Sequence, residues 1–285
     1  MSSSQARSLQ GRVILVTGAS RGIGREIAVR VAADGATVVL LARTETPNPK
    51  LPGTLQETAD AVRDAGGHPL PVICDVRDPA AVEAAVATVA AQCDVIDAVV
   101  NNAGALDLRS TSELPLNIFH RLLEVNVEGP FALVQAALPY LIKSANAHIV
   151  NVSPPLNLAP PWVAAHVGHT TGKYAESLLT LGWAAEFASI PVAVNSVWPA
   201  TTVASTGMIV AMGDGVRARA REPQIMADAI RALLARSTDC TGNFYTDEEI
   251  LRDEGLSDMS GYRLAAAEAD LVPNFYLPST ALPTL

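Results

Sequence analysis

The sequence predicts an α/β fold, in which helices cover both faces of a parallel seven-stranded sheet within a single domain. Two observations support this. Short apolar runs rich in Val and Ile alternate with helical patterns along most of the 285 residues. A glycine-rich turn joins the first apolar run to the first helix, and small or polar residues follow several later runs. This pattern is typical of a doubly wound sheet of the Rossmann type.

Composition and charge exclude several classes of function. The net charge of −9 disfavours nucleic acid or an anionic membrane surface as a partner. The three cysteines are too few for a disulfide framework and lack metal-ligand spacing, so we expect no metal site and a reducing, cytoplasmic location. Residues 1–10 are polar and predict a flexible tail rather than a signal peptide, leaving 11–285 as the domain. No apolar run is long enough for a membrane span.

The glycine-rich turn lies between an apolar strand that begins at Val13 and a helix over residues 25–33. A backbone without Cβ atoms lets a pyrophosphate come close to the main chain, and the helix N-terminus behind it offers free N–H groups and a positive dipole end. The alternative, a tight turn without a ligand, does not explain three glycines at this spacing. The predicted dinucleotide contacts are Gly18, Ser20, Arg21, Gly22, Ile23 and Gly24.

The end of the second strand, residues 36–42, indicates which dinucleotide binds. Folds that prefer NAD place an acidic residue there to hold the ribose 2′-hydroxyl, but this chain has Arg43. A guanidinium suits a 2′-phosphate, and Arg21 adds positive charge nearby. We therefore predict NADP, with NAD the less favoured cofactor; the alternative is that both arginines are solvated surface residues.

The remaining elements follow from apolar periodicity and from capping residues. The proline-rich segment 44–54 predicts a loop over the adenine side, longer than most strand–helix connections. Asp78 and Pro79 predict a helix N-terminus, and Gly129-Pro130 predicts a bend in a long helix. The predicted helices cover residues 55–65, 80–91, 116–143, 170–188 and 225–235, and the predicted strands cover 69–74, 96–100, 148–152, 192–197 and 241–245.

The turns that follow the strands converge at one edge of the sheet. Ligands of doubly wound sheets bind outside the carboxyl ends of the strands, so these turns predict a single crevice. They are residues 18–24, Arg43, Asp75, 101–104, Ser153 and 199–202.

Three motifs resemble the short-chain dehydrogenase/reductase family. They are the turn over 17–24, Asn101-Asn102-Ala103-Gly104 after the fourth strand, and Asn126 in the following helix. Within that family the chain is similar to the hydroxysteroid dehydrogenase-like protein 2 group, through Ser153-Pro154-Pro155-Leu156-Asn157-Leu158, Pro47-Asn48-Pro49-Lys50, Trp198-Pro199 and Thr241-Gly242-Asn243-Phe244. The resemblance implies a nicotinamide cofactor, with Asp75 and Val76 at the adenine, Asn102, Ala103 and Gly104 along the cofactor, and Pro199 and Thr201 at the nicotinamide.

The catalytic pair implied by the resemblance is altered in this chain. The family places a tyrosine four residues before a lysine that holds the nicotinamide ribose, so that both face the same side of a helix. Here the lysine is Lys173, but His169 stands at the tyrosine position, and Tyr174 points about 100° around the helix. Burial and the cationic Lys173 favour a neutral imidazole, which accepts a proton better than it donates one. His169 therefore suits alcohol oxidation or non-redox proton abstraction.

Other side chains have two possible roles. Ser153 either polarises the substrate oxygen, as the resemblance implies, or caps the strand end, and Asn126 is implied to support a proton relay. His166 predicts a pocket-wall or loop hydrogen bond rather than a metal ligand. A further set of apolar residues forms either a substrate wall or simply core: Leu106, Trp162, Trp198 and Met208.

The leading hypothesis is an NADP-dependent oxidoreductase that interconverts a hydroxyl and a carbonyl on an apolar small molecule. One alternative is a non-redox isomerase, lyase or cyclase that uses His169 as a base; the other is a catalytically silent NADP-binding accessory or sensor protein. Apolar stripes on the helices that begin near residues 116 and 170 predict a homodimer or homotetramer.

Overall fold

Seven parallel strands form one sheet in the computed structural model, which describes residues 8–48, 51–265 and 267–277. The order across the sheet is β3-β2-β1-β4-β5-β6-β7, as expected for the Rossmann-type fold. Most of the predicted tail and the end of the chain lie outside the described residues, as do two residues of the proline-rich loop. The strands are β1 (Val13–Thr17), β2 (Thr37–Ala42), β3 (His68–Ile73), β4 (Ala98–Asn101), β5 (Ala147–Asn151), β6 (Val192–Trp198) and β7 (Phe244–Thr246).

Helices cover both faces of the sheet and divide the core into two apolar clusters. The helices α1, α2 and α9 pack on one face, and α3, α5 and α7 pack on the other. They are α1 (Gly22–Ala32), α2 (Leu55–Asp64), α3 (Pro79–Ala90), α4 (Leu116–Leu123), α5 (Gly129–Leu141), α6 (Pro160–Ala165), α7 (Val167–Glu186), α8 (Thr206–Met212), α9 (Gln224–Leu234) and α10 (Asp247–Asp253). In the part of the chain that the structure describes, no helix has the length and apolar character needed to cross a membrane.

The strand order reverses between β1 and β4, because β1 pairs with β2 on one side and with β4 on the other. Consecutive connections leave in opposite directions at this point, so the carboxyl ends of the two strands open a crevice between them. The central strands are fully buried, which fits their continuous apolar runs. The fold thus places the glycine-rich turn and the Asn101–Gly104 turn on either side of one crevice.

The long predicted helix is interrupted just before the predicted bend at Gly129-Pro130. A π-helical turn, Glu124–Glu128, separates α4 from α5, and Gly129 donates its N–H to the Glu124 carbonyl. Pro130 has no N–H to donate to the carbonyl four residues back, so the hydrogen-bond ladder is disturbed before the proline rather than at it. Asn126 lies within this turn and is fully buried.

Three short helices and the position of β7 differ from the prediction. The helix α6 begins with two prolines, in the first turn where proline is tolerated, and α8 and α10 lie in segments without a predicted element. The strand β7 begins at Phe244 rather than at Thr241, although residues 241–243 are tied to β6 as well: the Gly242 N–H donates to the Val194 carbonyl at 2.8 Å, and the Ser196 N–H donates to the Asn243 carbonyl at 2.9 Å. The Val194 N–H donates to Thr241 Oγ1 at 3.0 Å, and the Asn243 N–H donates to Asn195 Oδ1 at 3.1 Å.

The C-terminal segment, residues 271–277, returns to the carboxyl edge of the sheet. It is tied to the loop after β6 by backbone hydrogen bonds from Thr202 N to Val272 O (2.8 Å) and from Asn274 N to Ala200 O (3.1 Å). The indole N–H of Trp198 donates to the Phe275 carbonyl at 3.0 Å. This segment therefore forms one wall of the crevice, which nothing in the local sequence pattern indicates.

Candidate functional site

A cleft of about 500 Å³ opens at the carboxyl edge of the sheet. It brings together most of the residues that the sequence predicts: Gly18, Ser20, Arg21, Gly22, Ile23, Gly24, Arg43, Asp75, Val76, Asn102, Ala103, Gly104, His169, Lys173 and Pro199. Three predicted residues, Asn126, Ser153 and Thr201, are buried beside the cleft and do not line it.

The glycine-rich turn is packed so tightly that it requires glycine at two positions. Gly18 has a positive φ of 67°, and a Cβ on Gly24 would lie 2.4 Å from the Gly18 carbonyl oxygen and 2.5 Å from Asn102 Nδ2. No side chain caps the N-terminus of α1 among the described residues, so the first N–H groups of this helix remain available to an anion. Asn102 holds the turn in place because its Nδ2 donates to the Thr17 carbonyl at 2.8 Å.

Three arginines lie at the end of the cleft that contains Asp75, and two of them pair with its carboxylate. Arg77 Nη2 lies 2.6 Å from Asp75 Oδ2, and Arg43 Nη1 lies 3.4 Å from the same oxygen. The Arg77 hydrogen bond holds the pKa of Asp75 at about 2, although partial burial raises it. Arg21 donates to the Gly53 carbonyl at 2.9 Å, and partial burial and the Arg43 charge lower its pKa. This end of the cleft therefore has excess positive charge. The sequence prediction missed Arg77, which follows Asp75 by only two residues.

Lys173 is held at the inner end of the cleft by two hydrogen bonds. Its Nζ donates to the Val152 carbonyl and to Glu176 Oε2, both at 2.8 Å. The ammonium also lies 5.8 Å from the centre of the Trp198 ring. Glu176 is fully buried, and the sequence prediction missed it although it lies one helical turn after Lys173 on the same face of α7.

His169 lies one turn before Lys173, as the four-residue spacing predicts, and it lines the same cleft. Burial, together with the nearby Lys173 and His166, lowers the pKa of its imidazole to about 3. A hydrogen bond to the backbone of Ala105 and the Asp107 carboxylate oppose this effect only in part. Its Nδ1 is buried without a hydrogen-bond partner among the described residues. The imidazole is therefore neutral at physiological pH.

Asn126 fixes the loop against which His169 packs. Its Oδ1 accepts from the Ala105 N–H at 2.9 Å, and its Nδ2 donates to the Ala105 carbonyl at 3.0 Å. The side-chain amide of Asn126 thus hydrogen-bonds to both the N–H and the carbonyl of Ala105. Because Ala105 also hydrogen-bonds to His169, Asn126 acts on the cleft through this loop rather than by lining it.

Ser153 and Thr201 have other partners in the structure. Ser153 Oγ lies 2.8 Å from Ser196 Oγ on β6, and Ser196 in turn donates to the Ser153 carbonyl. Thr201 donates to Glu248 Oε1 over 3.4 Å. Both hydroxyls therefore make contacts within the fold.

Several of the side chains that line the cleft are apolar. Among the expected wall residues, Leu106, Trp198 and Met208 line it, whereas Trp162 lies in the core against Phe275. His166 makes the expected loop hydrogen bond, with Nδ1 2.8 Å from the Leu108 carbonyl oxygen. Asn274 and Phe275 complete the wall from the C-terminal segment. Among the described residues no cluster of His, Cys, Asp or Glu could hold a metal ion.

Comparison with known proteins identifies a family. The family model described as short chain dehydrogenase matches residues 12–214. The chain is 42% identical over 269 residues to hydroxysteroid dehydrogenase-like protein 2 of Xenopus tropicalis, covering 94% of this chain and 64% of that protein. The chain thus spans less than two thirds of the length of this curated relative.

Solved structures agree with the sequence comparison. A short chain dehydrogenase from Mycobacterium thermoresistibile superposes with a TM-score of 0.90 at 39% identity, covering 97% of this chain and 98% of that one. A metagenomic short-chain oxidoreductase was crystallised with NADP (TM-score 0.69, 28% identity, 83% of this chain and 96% of that one). A short chain dehydrogenase from Mycobacterium paratuberculosis was crystallised with NAD (TM-score 0.72, 26% identity, 84% and 97%). Structural relatives of this chain therefore bind either nicotinamide dinucleotide.

Proposed function

Because the chain belongs to the short-chain dehydrogenase family, we propose that it is an NADP-dependent oxidoreductase that oxidises a hydroxyl group on an apolar small molecule. The observation that carries this proposal is the neutral, buried His169, one helical turn from Lys173 and in the same cleft as the glycine-rich turn. The family places a proton-exchanging side chain at this position. Here it is a group that accepts a proton more readily than it gives one.

The residues of the cleft fit a dinucleotide along its whole length. The Gly18–Gly24 turn and the open N-terminus of α1 suit the pyrophosphate, and the turn depends on Gly24 because a Cβ there would collide with the Gly18 carbonyl oxygen and Asn102 Nδ2. Arg21, Arg43 and Arg77 suit the 2′-phosphate that distinguishes NADP from NAD. Lys173 lies at the opposite end, where it would hold the nicotinamide ribose. The nicotinamide, when bound, supplies the two-electron oxidant that the reaction requires.

His169 then performs the proton transfer. A neutral imidazole accepts the proton of the substrate hydroxyl as the carbonyl forms, and it returns that proton to solvent between turnovers. Asn126 keeps the Ala105 loop, and with it the imidazole, in a fixed position. Reduction would have to start from an imidazolium, which burial and the Lys173 charge make scarce, whereas oxidation starts from the neutral imidazole that is already present. The resting protonation state of the site therefore suits oxidation.

The walls of the cleft select an apolar substrate. Leu106, Trp198 and Met208 line the same cleft as His169, and Phe275 lines it from the C-terminal segment. Apolar groups bound there exclude water from the imidazole. A polar or charged substrate would lose its hydration without gaining partners.

The central experiment measures oxidation of a panel of apolar secondary alcohols by NADP+, followed through NADPH absorbance at pH 8. We expect turnover by the wild type and a loss of at least about 100-fold in kcat for His169→Phe, with NADP+ affinity within about twofold. His120→Gln, on the exposed face of α4, is the control. Conversion of substrate without any change in absorbance would favour the non-redox alternative. Tight NADP binding without any conversion would favour the accessory or sensor alternative, as would activity that appears only in His169→Tyr.

The preference for NADP is tested at the adenosine end. Replacing Arg43 with Ser removes a guanidinium from the proposed phosphate site, so we expect the Kd for NADP+ to rise about 10-fold or more while that for NAD+ changes little. Arg63→Ser removes an exposed arginine on α2 and should leave both values unchanged. Titration calorimetry with each dinucleotide measures these constants. Equal losses for both would contradict the assignment of Arg43.

A further inference from the structure

Glu176 is a buried acid that the proposed reaction has not yet used. It follows His169 and Lys173 on α7 at a spacing of seven and three residues, so all three side chains share one face of the helix. Its carboxylate is fully buried, and Oε2 lies 2.8 Å from the Lys173 ammonium. The other oxygen, Oε1, has no hydrogen-bond partner among the described residues.

Such an arrangement is costly for the fold. A buried ion pair gains Coulomb energy but loses the hydration of both charges, and an unpaired carboxylate oxygen adds to that loss. A buried apolar side chain at position 176 would remove the cost of the carboxylate, but it would leave the buried Lys173 ammonium without a counter-charge. The location of Glu176 behind Lys173, rather than elsewhere in the core, therefore points to the lysine as the reason for its presence.

The exchange of tyrosine for histidine changes the sign of the charge that the site must tolerate. A tyrosine that loses a proton becomes negative, and a neighbouring ammonium stabilises it. A histidine that gains a proton becomes positive, and the same ammonium destabilises it. An anion paired with the ammonium removes this conflict, because the pair has no net charge.

We propose that Glu176 is a positioning residue that cancels the charge of Lys173, so that the inner end of the cleft can accept a positive charge. This inference rests on the proposed function, and it concerns both His169 when it takes up a proton and the positively charged nicotinamide of the oxidised cofactor. Glu176 thus compensates for the positive charge that a histidine at position 169 acquires, and its role goes beyond supporting the fold. The reaction that benefits is oxidation.

The electrostatic surroundings of Glu176 give this role a pH dependence. Burial raises the pKa of Glu176 to about 7, against the lowering effect of Lys173, which is the charged side chain that acts on it. Three charged or titratable side chains act on His169. They are Lys173 on α7, His166 immediately before α7 and Asp107 in the loop after β4. Protonation of Glu176 as the pH falls through neutrality leaves Lys173 without its counter-charge. Acid should therefore have the same effect as removing the carboxylate.

The test compares binding of the two redox forms of the cofactor and needs no substrate. We expect Glu176→Gln to raise the ratio of Kd for NADP+ to Kd for NADPH about 5- to 10-fold at pH 8.5, since one charge is removed near a cationic ring in a poorly hydrated site. Glu176→Asp keeps the charge and should stay within about twofold of the wild type. Glu186→Gln removes an exposed carboxylate from the same helix and is the matched control.

The wild type provides a second measurement if Glu176→Gln does not fold. Its ratio of Kd values should rise as the pH is lowered from 8.5 to 5.5, whereas the ionisation of the 2′-phosphate affects both redox forms alike and cancels. A ratio that is insensitive to both the substitution and pH would overturn the role of Glu176 while leaving the proposed function intact. Failure of both dinucleotides to bind the wild type would instead contradict the proposed function.

Discussion

At the residue scale, two buried histidines make the fold sensitive to acid. His148 on β5 is fully buried and donates from Nε2 to the Arg236 carbonyl at 3.1 Å, while its Nδ1 has no partner among the described residues. Burial and the nearby Arg12 lower the pKa of His148 to about 4, and that of His169 is about 3. Both imidazoles are neutral in the folded protein and titrate near pH 6.5 in the unfolded chain.

The sign of the effect follows from this difference. Between about pH 6.5 and 4 the unfolded chain binds a proton at position 148 that the folded protein does not, so stability falls as the pH falls through this window. We expect wild type to lose about 2 kcal/mol more than His148→Gln between pH 7.5 and 5. Urea denaturation at several pH values measures the free energy of unfolding of both proteins, with His120→Gln as the control. Parallel pH profiles for the wild type and His148→Gln would contradict a neutral His148.

Residue by residue, the sequence predicts the site where chemistry depends on spacing along the chain. The spacing of four residues places His169 and Lys173 on one face of α7. In the glycine-rich turn, the glycines themselves determine the local backbone conformation. Ser153 could not be placed in this way, because its partner Ser196 comes from a different strand. Glu176 was within reach, since it follows the same helical spacing, but a single acidic residue gives no sign of being buried.

At the element scale, a buried arginine connects the loop after β6 to α10 and to the C-terminal region. Arg221 donates to Glu248 Oε1 at 2.9 Å and to the Met259 carbonyl at 2.9 Å, and it also pairs with Glu268. Its backbone N–H donates to the Thr202 carbonyl at 2.9 Å. The neighbouring Asp247 accepts from the Ala200 N–H at 2.8 Å. These contacts hold the strand-end loop that carries Pro199 against the cleft.

Two arginines that pair with the same carboxylate allow the contribution of these contacts to stability to be tested. Arg221 is 1% exposed and Arg252 is 56% exposed, yet both form ion pairs with Glu248. We expect Arg221→Met to lower the free energy of unfolding by about 3 kcal/mol or more, because it leaves buried hydrogen-bond acceptors without a donor. Arg252→Met should cost within about 1 kcal/mol, because water replaces the lost partner. Urea denaturation measures both free energies of unfolding, and similar losses of stability in the two variants would contradict a stabilising role of the buried Arg221 contacts.

The elements that the sequence missed differ in how visible they were. The helix α10 begins with a capping box formed by Thr246 and Glu249, a local pattern that was available in the sequence. The helix α6 was hidden by its two initial prolines, which are typical of loops as well as of first turns. The path of residues 271–277 depends on contacts with β6 far away in sequence, so no periodicity could predict it.

At the scale of the whole molecule, the two faces of the sheet differ in how completely their helices are covered. On the outer surface of α5 and α7, large apolar side chains remain exposed, among them Phe131, Leu178 and Leu181. Phe131 also packs near Trp183, with ring centres 6.2 Å apart, so the apolar surface joins the two helices. Contiguous exposed apolar surface of this kind is typical of a protein interface. A second copy of the chain, related by a two-fold axis, would present the same surface and cover it.

The prediction is a homodimer, or a tetramer built from it, that depends on this surface. Leu178 is 58% exposed, and Leu178→Glu places a charge on each side of the axis, so we expect the mass measured by light scattering to fall to that of one chain, 29.8 kDa. Ile73→Glu is the control, because this residue is equally exposed, at 56%, but ends β3 at the edge of the sheet. A wild type with the mass of one chain would contradict the prediction. Because α7 also carries His169, Lys173 and Glu176, separation of the subunits should weaken NADP+ binding as well, which titration calorimetry on the monomeric variant would detect.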